Sequence, residues 1–237
     1  MPPFAQPHQK LRRAAVHIKA LESAIADFFQ TQWYTCDFGR EPDGQYHLNV
    51  VVHGSPLGFG EIVGDAVHNL RSALDLLAVE VVGRNGGNTK GVYFPFADSA
   101  EALEQMIKRR NFHRASNADV SILMELKPYS GGHPLLRALH DLDIQDKHHS
   151  LIPHAALITT PSVGVKMDPA GNPIGFAEGK LELQVNPNEP PAVKFTFPSD
   201  SVFAGEEVVP TLWQLHDCVS RVVEQFAHGS GGAQHQV

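Results

Sequence analysis

Residues 64–75 read GDAVHNLRSALD, and residues 139–148 read LHDLDIQDKH. Apolar residues recur in both stretches at three- and four-residue steps, which is typical of helices. In the first stretch the polar residues form one stripe with Arg71 on its flank: Asp65, His68, Ser72 and Asp75. Because apolar residues surround them, some of these charges must be buried, and buried charges are paired, bound to a ligand or catalytic.

The second stretch places His140, Asp143 and Lys147 on one helical face, with Asp146 beside them. We expect this helix to pack against the first, so that the ionisable groups of both helices meet. The pair of helices therefore predicts the position of a site, but not its ligand or its reaction.

The surrounding pattern predicts the rest of the fold. Further helices are expected over about 6–32, 59–82, 98–110, 117–126 and 208–226, and strands over 33–38, 46–53, 155–165, 180–185 and 192–197. These elements predict an α+β fold, in which a layer of about five to six helices packs on one antiparallel sheet formed by an early hairpin and a later meander. We expect residues 1–228 to form a single domain and residues 229–237 to be a flexible tail.

Composition narrows the class of protein. The chain has 237 residues and a formal net charge of -7, which argues against a broad nucleic-acid surface. It contains no apolar run long enough to span a bilayer and no secretory signal at its start, and Cys36 and Cys218 are far apart, as is typical of reduced intracellular thiols. We expect a cytoplasmic protein that does not bind membranes. The sequence names no small-molecule or protein partner and leaves a homo-oligomer open.

One interpretation of the polar helices is structural. Arg71 would then bind a carboxylate of the other helix, either Asp143 or Asp146, while His68 and His140 complete the hydrogen bonds. Such a network would fix the register of two helices in a non-enzymatic interaction or scaffold protein, although a buried ion pair need not add net stability.

A second interpretation is catalytic and involves a divalent metal ion, the one candidate cofactor. Oxygen and nitrogen ligands would activate a water molecule against a phosphoester-containing substrate. The predicted metal ligands are Asp65, His68, His140 and Asp143. Arg71 and Lys147 would hold negative charge on the substrate, and Asp75 would orient Arg71.

A third interpretation is a metal-independent ribonuclease similar to the HEPN type, which uses an Arg and a His a few residues apart on one helix. Here His68 precedes Arg71, and Arg137 lies three residues before His140. Neither pair matches the Arg-x4-6-His pattern of that family, so the likeness is limited to the residue types.

The two stretches together resemble an uncharacterised family of bacterial and phage-borne proteins. Members share a Gly-Asp-x-x-His-Asn-x-Arg-Ser-x-Leu-Asp helix and a later Leu-His-x-Leu-Asp-x-x-Asp-Lys-His segment. The resemblance covers about a fifth of this chain and implies that the two segments belong together, but it implies no activity. It singles out the following residues: Asp65, His68, Asn69, Arg71, Asp75, His140, Asp143, Asp146, Lys147 and His148.

Overall fold

The structure is a computed structural model that describes residues 3–40, 46–53, 58–148, 151–159, 163–174, 183–185 and 191–229. Six α-helices form its main part, and a short 3-10 helix, Phe112–Arg114, follows the third of them. The helices are α1 (Ala5–Phe29), α2 (Phe59–Arg84), α3 (Ala100–Arg109), α4 (Asn117–Leu126), α5 (Pro134–His148) and α6 (Val208–Gly229). The predicted tail lies outside the described residues, except for Gly229, which ends α6.

Six strands complete the described part: β1 (Tyr34–Arg40), β2 (Tyr46–Val52), β3 (His154–Thr159), β4 (Val163–Val165), β5 (Leu183–Val185) and β6 (Ala192–Thr196). All pairings are antiparallel, so the predicted α+β class is confirmed. The expected single sheet is not seen among the described strands, which form three two-stranded sheets, β1 with β2, β3 with β6 and β4 with β5. The predicted strand over 155–165 is two strands with different partners, and the predicted turn at Asp43 and Gly44 lies outside the described residues.

An aromatic cluster at the end of α1 brings together residues from distant parts of the chain. Phe195 of β6 packs edge-on against Phe28 of α1 and Phe59 of α2, with ring centroids 5.5 and 5.2 Å apart. Trp33, which precedes β1, lies 6.2 Å from Phe28 and 5.4 Å from Phe29. Phe28 of α1 therefore contacts both Trp33, just before the hairpin, and Phe195 of β6.

Helix α2 is the centre of the helical layer, where it contacts α1, α5 and α6. Its apolar residues are fully buried on several sides, among them Val67, Leu70, Leu74 and Leu77. Little of the surface of such a helix is exposed to solvent, so its polar groups lie against neighbouring helices. No helix in the described part of the chain is long and apolar enough to cross a membrane.

A buried polar network fixes the C-terminal end of α2 against α4. The Asp119 carboxylate is almost fully buried and accepts hydrogen bonds from Arg84, from Asn85 Nδ2 at 2.9 Å and from Ser116 Oγ at 2.7 Å. Ser116 also caps α4 by accepting the Asp119 amide hydrogen. The network holds this end of α2 in place, far along the helix from the polar stripe.

Candidate functional site between helices α2 and α5

His68 of α2 and Asp143 of α5 meet at the junction of the two helices. The Nδ1 atom of His68 lies 3.4 Å from Asp143 Oδ1; the His68 side chain is 56% exposed, whereas that of Asp143 is only 6% exposed. The other carboxylate oxygen of Asp143 accepts a 2.5 Å hydrogen bond from Lys147 Nζ, one helical turn later. Each oxygen of this buried carboxylate thus has a cationic or imidazole neighbour, as a buried charge requires.

The other ring nitrogen of His68 faces α2 itself. Ser72 Oγ lies 3.4 Å from His68 Nε2, because residues four apart share one side of a helix. Ser72, the His68 ring and the Asp143 carboxylate therefore follow one another in a row. An accessible imidazole with a buried carboxylate behind it is an arrangement that suits general acid–base chemistry.

Asp146 brings a second carboxyl group to the junction. It packs against Gly64 of α2, where a Cβ atom would lie 2.8 Å from the Asp146 Cγ. Burial, together with the negative charge of Asp143, raises the pKa of Asp146 above its ordinary value, although the charges of His68 and Lys147 oppose this. Gly64 is thus the residue that admits this carboxyl group to the surface of α2.

Arg71 is buried, with only 8% of the residue exposed, and its partners differ from those expected. Its Nη1 atom lies 2.7 Å from Asp75 Oδ1 on the same helix, and its guanidinium carbon lies 4.7 Å from the Phe96 ring centroid. The predicted ion pair with a carboxylate of the other helix is not seen among the described residues. Within that part of the chain, Nε and Nη1 of Arg71 have no well-aligned hydrogen-bond acceptor.

Asp75 is itself fixed by the segment that contains Phe96. Its Oδ1 atom accepts a 3.0 Å hydrogen bond from the backbone N–H of Phe94. The same carboxylate oxygen therefore contacts both Arg71 of α2 and the extended segment before α3. Because Asp75 is held in this position, Arg71 pairs with it on the same helix and not with a carboxylate of α5.

His140 packs flat on Phe96, with ring centroids 4.5 Å apart and an interplanar angle of 2°. Burial, together with the positive charges of Arg71 and Arg137, lowers the pKa of His140 to about 4. Its buried Nδ1 atom has no hydrogen-bond partner among the described residues. His140 is therefore neutral at pH 7. Its ring makes a stacking contact with Phe96 instead of the expected hydrogen bonds.

The four predicted metal ligands make three separate sets of contacts. His68 and Asp143 meet, His140 packs on Phe96, and the largely exposed Asp65 lies 3.8 Å from Nδ1 of His17 on α1. In the described ranges, no group of three or more His, Cys, Asp or Glu residues is arranged to hold a metal ion. The described geometry gives the metal site no support, and the ligand set stays a prediction.

Two residues of the junction were missed by the sequence reasoning. Phe96 was assigned no role, although the density of aromatic residues in Tyr93-Phe94-Pro95-Phe96 is a signal of burial. Gly64 lies one turn before His68, and a glycine inside a helix often marks the close approach of another group. Both signals were available in the sequence.

Comparisons of the chain with protein-family models, with curated proteins and with solved structures gave no match. The likeness to bacterial and phage-borne proteins accordingly stays a prediction, and the function of the α2–α5 junction is argued from its own geometry.

Proposed function

We propose that the protein hydrolyses a phosphoester without a metal ion, with His68 and Asp143 as its acid–base pair. The observation that carries the proposal is the contact between a half-exposed imidazole and a buried carboxylate. A carboxylate beside Nδ1 favours the tautomer with the proton on that nitrogen. Nε2 is then left unprotonated, beside Ser72, and is able to accept a proton.

The proposed reaction uses groups of both helices. His68 removes a proton from a water molecule as the water oxygen forms a bond to phosphorus, and the bond from phosphorus to the leaving oxygen breaks. Asp146 supplies the proton to that leaving oxygen, because a carboxyl group with a raised pKa keeps its proton to higher pH than an exposed one. His68 then releases its proton to solvent and Asp146 takes one up from solvent, which restores the starting state.

The two cationic residues Lys147 and Arg71 have different roles in the proposed reaction. Lys147 is more than half exposed and lies beside Asp143, so it is better placed than Arg71 to neutralise charge on the phosphoryl group. Arg71 is buried and acts through its charge, which helps to keep His140 neutral. Asp75 orients Arg71 by their 2.7 Å contact.

A second candidate function is structural, and one observation favours it. Both oxygens of Asp143 already have neighbours, so the His68–Asp143–Lys147 contacts could serve only to lock α2 against α5 in a non-enzymatic interaction protein. In that case the protein has no hydrolytic activity, and removal of the Asp143 charge changes stability alone.

The experiment compares wild type with His68→Gln and Asp143→Asn, with bis-p-nitrophenyl phosphate and p-nitrophenyl phosphate as substrates. We expect each substitution to lower kcat by about 10²- to 10⁴-fold, the usual contribution of general acid–base catalysis. His113→Gln is the matched control, because His113 is exposed on the 3-10 helix and is not part of the junction. Circular dichroism melting curves check that each variant is folded.

Two results would contradict the proposal. One is a wild-type protein that hydrolyses neither substrate, and the other is a folded His68→Gln variant with wild-type kcat. A variant that is inactive and unfolded is replaced in the comparison by His68→Asn. We also propose, from the cysteine usage, that the protein is cytoplasmic.

A further inference from the structure

A groove lies between α1 and α2. Its volume is about 990 Å³. Its polar lining consists of three cationic side chains and three amides: Lys10, Arg12, Arg13, Gln6, Gln9 and Asn69. None of the described residues that line it is acidic, although the chain as a whole carries a net charge of -7.

The cations of the groove are available to an anionic ligand. Arg12 and Arg13 are exposed and have no carboxylate partner among the residues that the structure describes. Lys10 Nζ donates to Asn69 Oδ1 at 3.3 Å, and Asn69 Nδ2 donates to the backbone oxygen of Asp65 at 2.8 Å, so Lys10 is held over α2 by a neutral amide.

The carboxylates next to the lining residues already have partners. Asp65 lies 3.8 Å from His17, and Glu80 accepts the backbone N–H of Gln6 at 3.2 Å. Neither carboxylate lines the groove, so its three cations are open to a ligand that brings several negative charges.

Two lining residues of the groove, Asn69 and Leu76, lie on the same helix as His68. His68, Ser72 and Leu76 follow one another at four-residue steps along one side of α2, and Leu76 lines the groove. At a rise of about 1.5 Å per residue, Leu76 lies about 12 Å along α2 from His68. Asn69, another lining residue, directly follows His68 in the chain.

We propose that this groove binds the phosphodiester backbone of a single-stranded nucleic acid and presents one of its phosphodiesters to His68. The inference rests on the proposed function, since it names the class of phosphoester that the site cleaves. Three cations along one groove suit a single flexible backbone, whereas the overall negative charge disfavours the broad surface that a duplex needs. Because the proposed contacts are to phosphates, we expect binding to depend on the backbone charge and not on the base sequence.

The binding test uses the His68→Gln protein, so that no cleavage occurs during the measurement. Fluorescence anisotropy of labelled 12-nucleotide oligo(U) and oligo(dT) gives Kd at several salt concentrations. Because each phosphate contact to a single strand contributes about -0.7 to the slope of log K against log salt, three cations predict a slope of about -2. Added substitutions Arg12→Gln and Arg13→Gln should each weaken binding about fivefold at 0.1 M salt and make the slope less steep.

Arg109→Gln is the matched control, because Arg109 is an exposed cation at the end of α3 and does not line the groove. The proposal predicts that this variant binds like the parent protein. A difference between oligo(U) and oligo(dT) shows which nucleic acid is preferred, and binding of either supports the shared phosphodiester chemistry.

Several results would overturn the inference while leaving the proposed function intact. The first is that neither oligonucleotide binds although small phosphoesters are hydrolysed. The second is that Arg109→Gln loses as much affinity as Arg12→Gln and Arg13→Gln. The third is that a deca-glutamate peptide binds as tightly as the oligonucleotides. Conversely, oligonucleotide binding that depends on Arg12 and Arg13, in a protein that hydrolyses neither small substrate, would support the groove and contradict the acid–base proposal.

Discussion

His140 makes the stability of the protein sensitive to mild acid, and the structure gives the sign of the effect. Burial lowers the pKa of His140 from 6.5 to about 4 in the folded protein. As the pH falls below 6.5, the unfolded chain binds a proton that the folded protein does not, so the free energy of unfolding decreases. The loss ends near pH 4, below which both states are protonated.

The magnitude follows from the size of this pKa change. At about 1.4 kcal/mol for each tenfold change in proton affinity, the upper limit is about 3 kcal/mol. His140 is only partly buried, so solvent screening reduces the contribution, and we expect a loss of about 1 kcal/mol between pH 7 and pH 5.

The perturbation that isolates the effect is His140→Phe. Phenylalanine keeps the stacking contact with Phe96 and cannot be protonated, and no hydrogen bond of Nδ1 is lost among the described residues. Urea unfolding followed by circular dichroism at pH 7, 6 and 5 gives the free energy of unfolding of both proteins. His133, whose pKa is also lowered by burial, contributes equally to both and cancels in the comparison. Parallel loss of stability in wild type and His140→Phe would refute the reasoning.

Three further predictions concern other parts of the molecule. Asp119→Ala should lower the free energy of unfolding by about 3 kcal/mol, because it removes the almost fully buried carboxylate that accepts hydrogen bonds from Arg84, Asn85 and Ser116; a loss below 1 kcal/mol in urea unfolding would contradict this. Gly64→Ala should keep the fold but lower kcat at least about tenfold, because the new Cβ displaces the Asp146 carboxyl group, whereas Gly83→Ala should not. Burial raises the pKa of the Cys218 thiol to about 11, so in a Cys36→Ser variant, which removes the partly exposed second thiol, Cys218 should react with Ellman's reagent at pH 8 only after denaturant is added; rapid reaction of that native variant would count against its burial.

Helical periodicity predicted the helical layer well, because it is a local property of the chain. The helix expected over 117–126 matches α4, and the helices expected to begin at residues 59 and 208 do so. Strand pairing was less predictable, since the partner of a strand depends on contacts between distant residues. The strands around residues 155–165 and 192–197 are short and polar on one side, and their sequences do not specify that β6 pairs with β3 while β4 pairs with β5.

The approach of the two polar helices could be inferred from the sequence, but the choice of partners within the junction could not. Arg71 could pair with a carboxylate on its own helix or with one on α5. A hydrogen bond from the distant backbone N–H of Phe94 fixes the Asp75 carboxylate where it contacts Arg71. The stacking of His140 likewise depends on Phe96, which is 44 residues earlier in the chain (140 − 96 = 44). Periodicity along one helix carries no information about such contacts.

The metal dependence of hydrolysis is the most direct test of the acid–base pair formed by His68 and Asp143. Bis-p-nitrophenyl phosphate hydrolysis by the purified protein is measured after dialysis against EDTA, and again after addition of Mg²⁺, Mn²⁺ or Zn²⁺. We predict that EDTA-treated protein retains its full kcat and that no ion raises it. Activity that disappears in EDTA and returns with one of these ions would contradict the account and favour Asp65, His68, His140 and Asp143 as metal ligands.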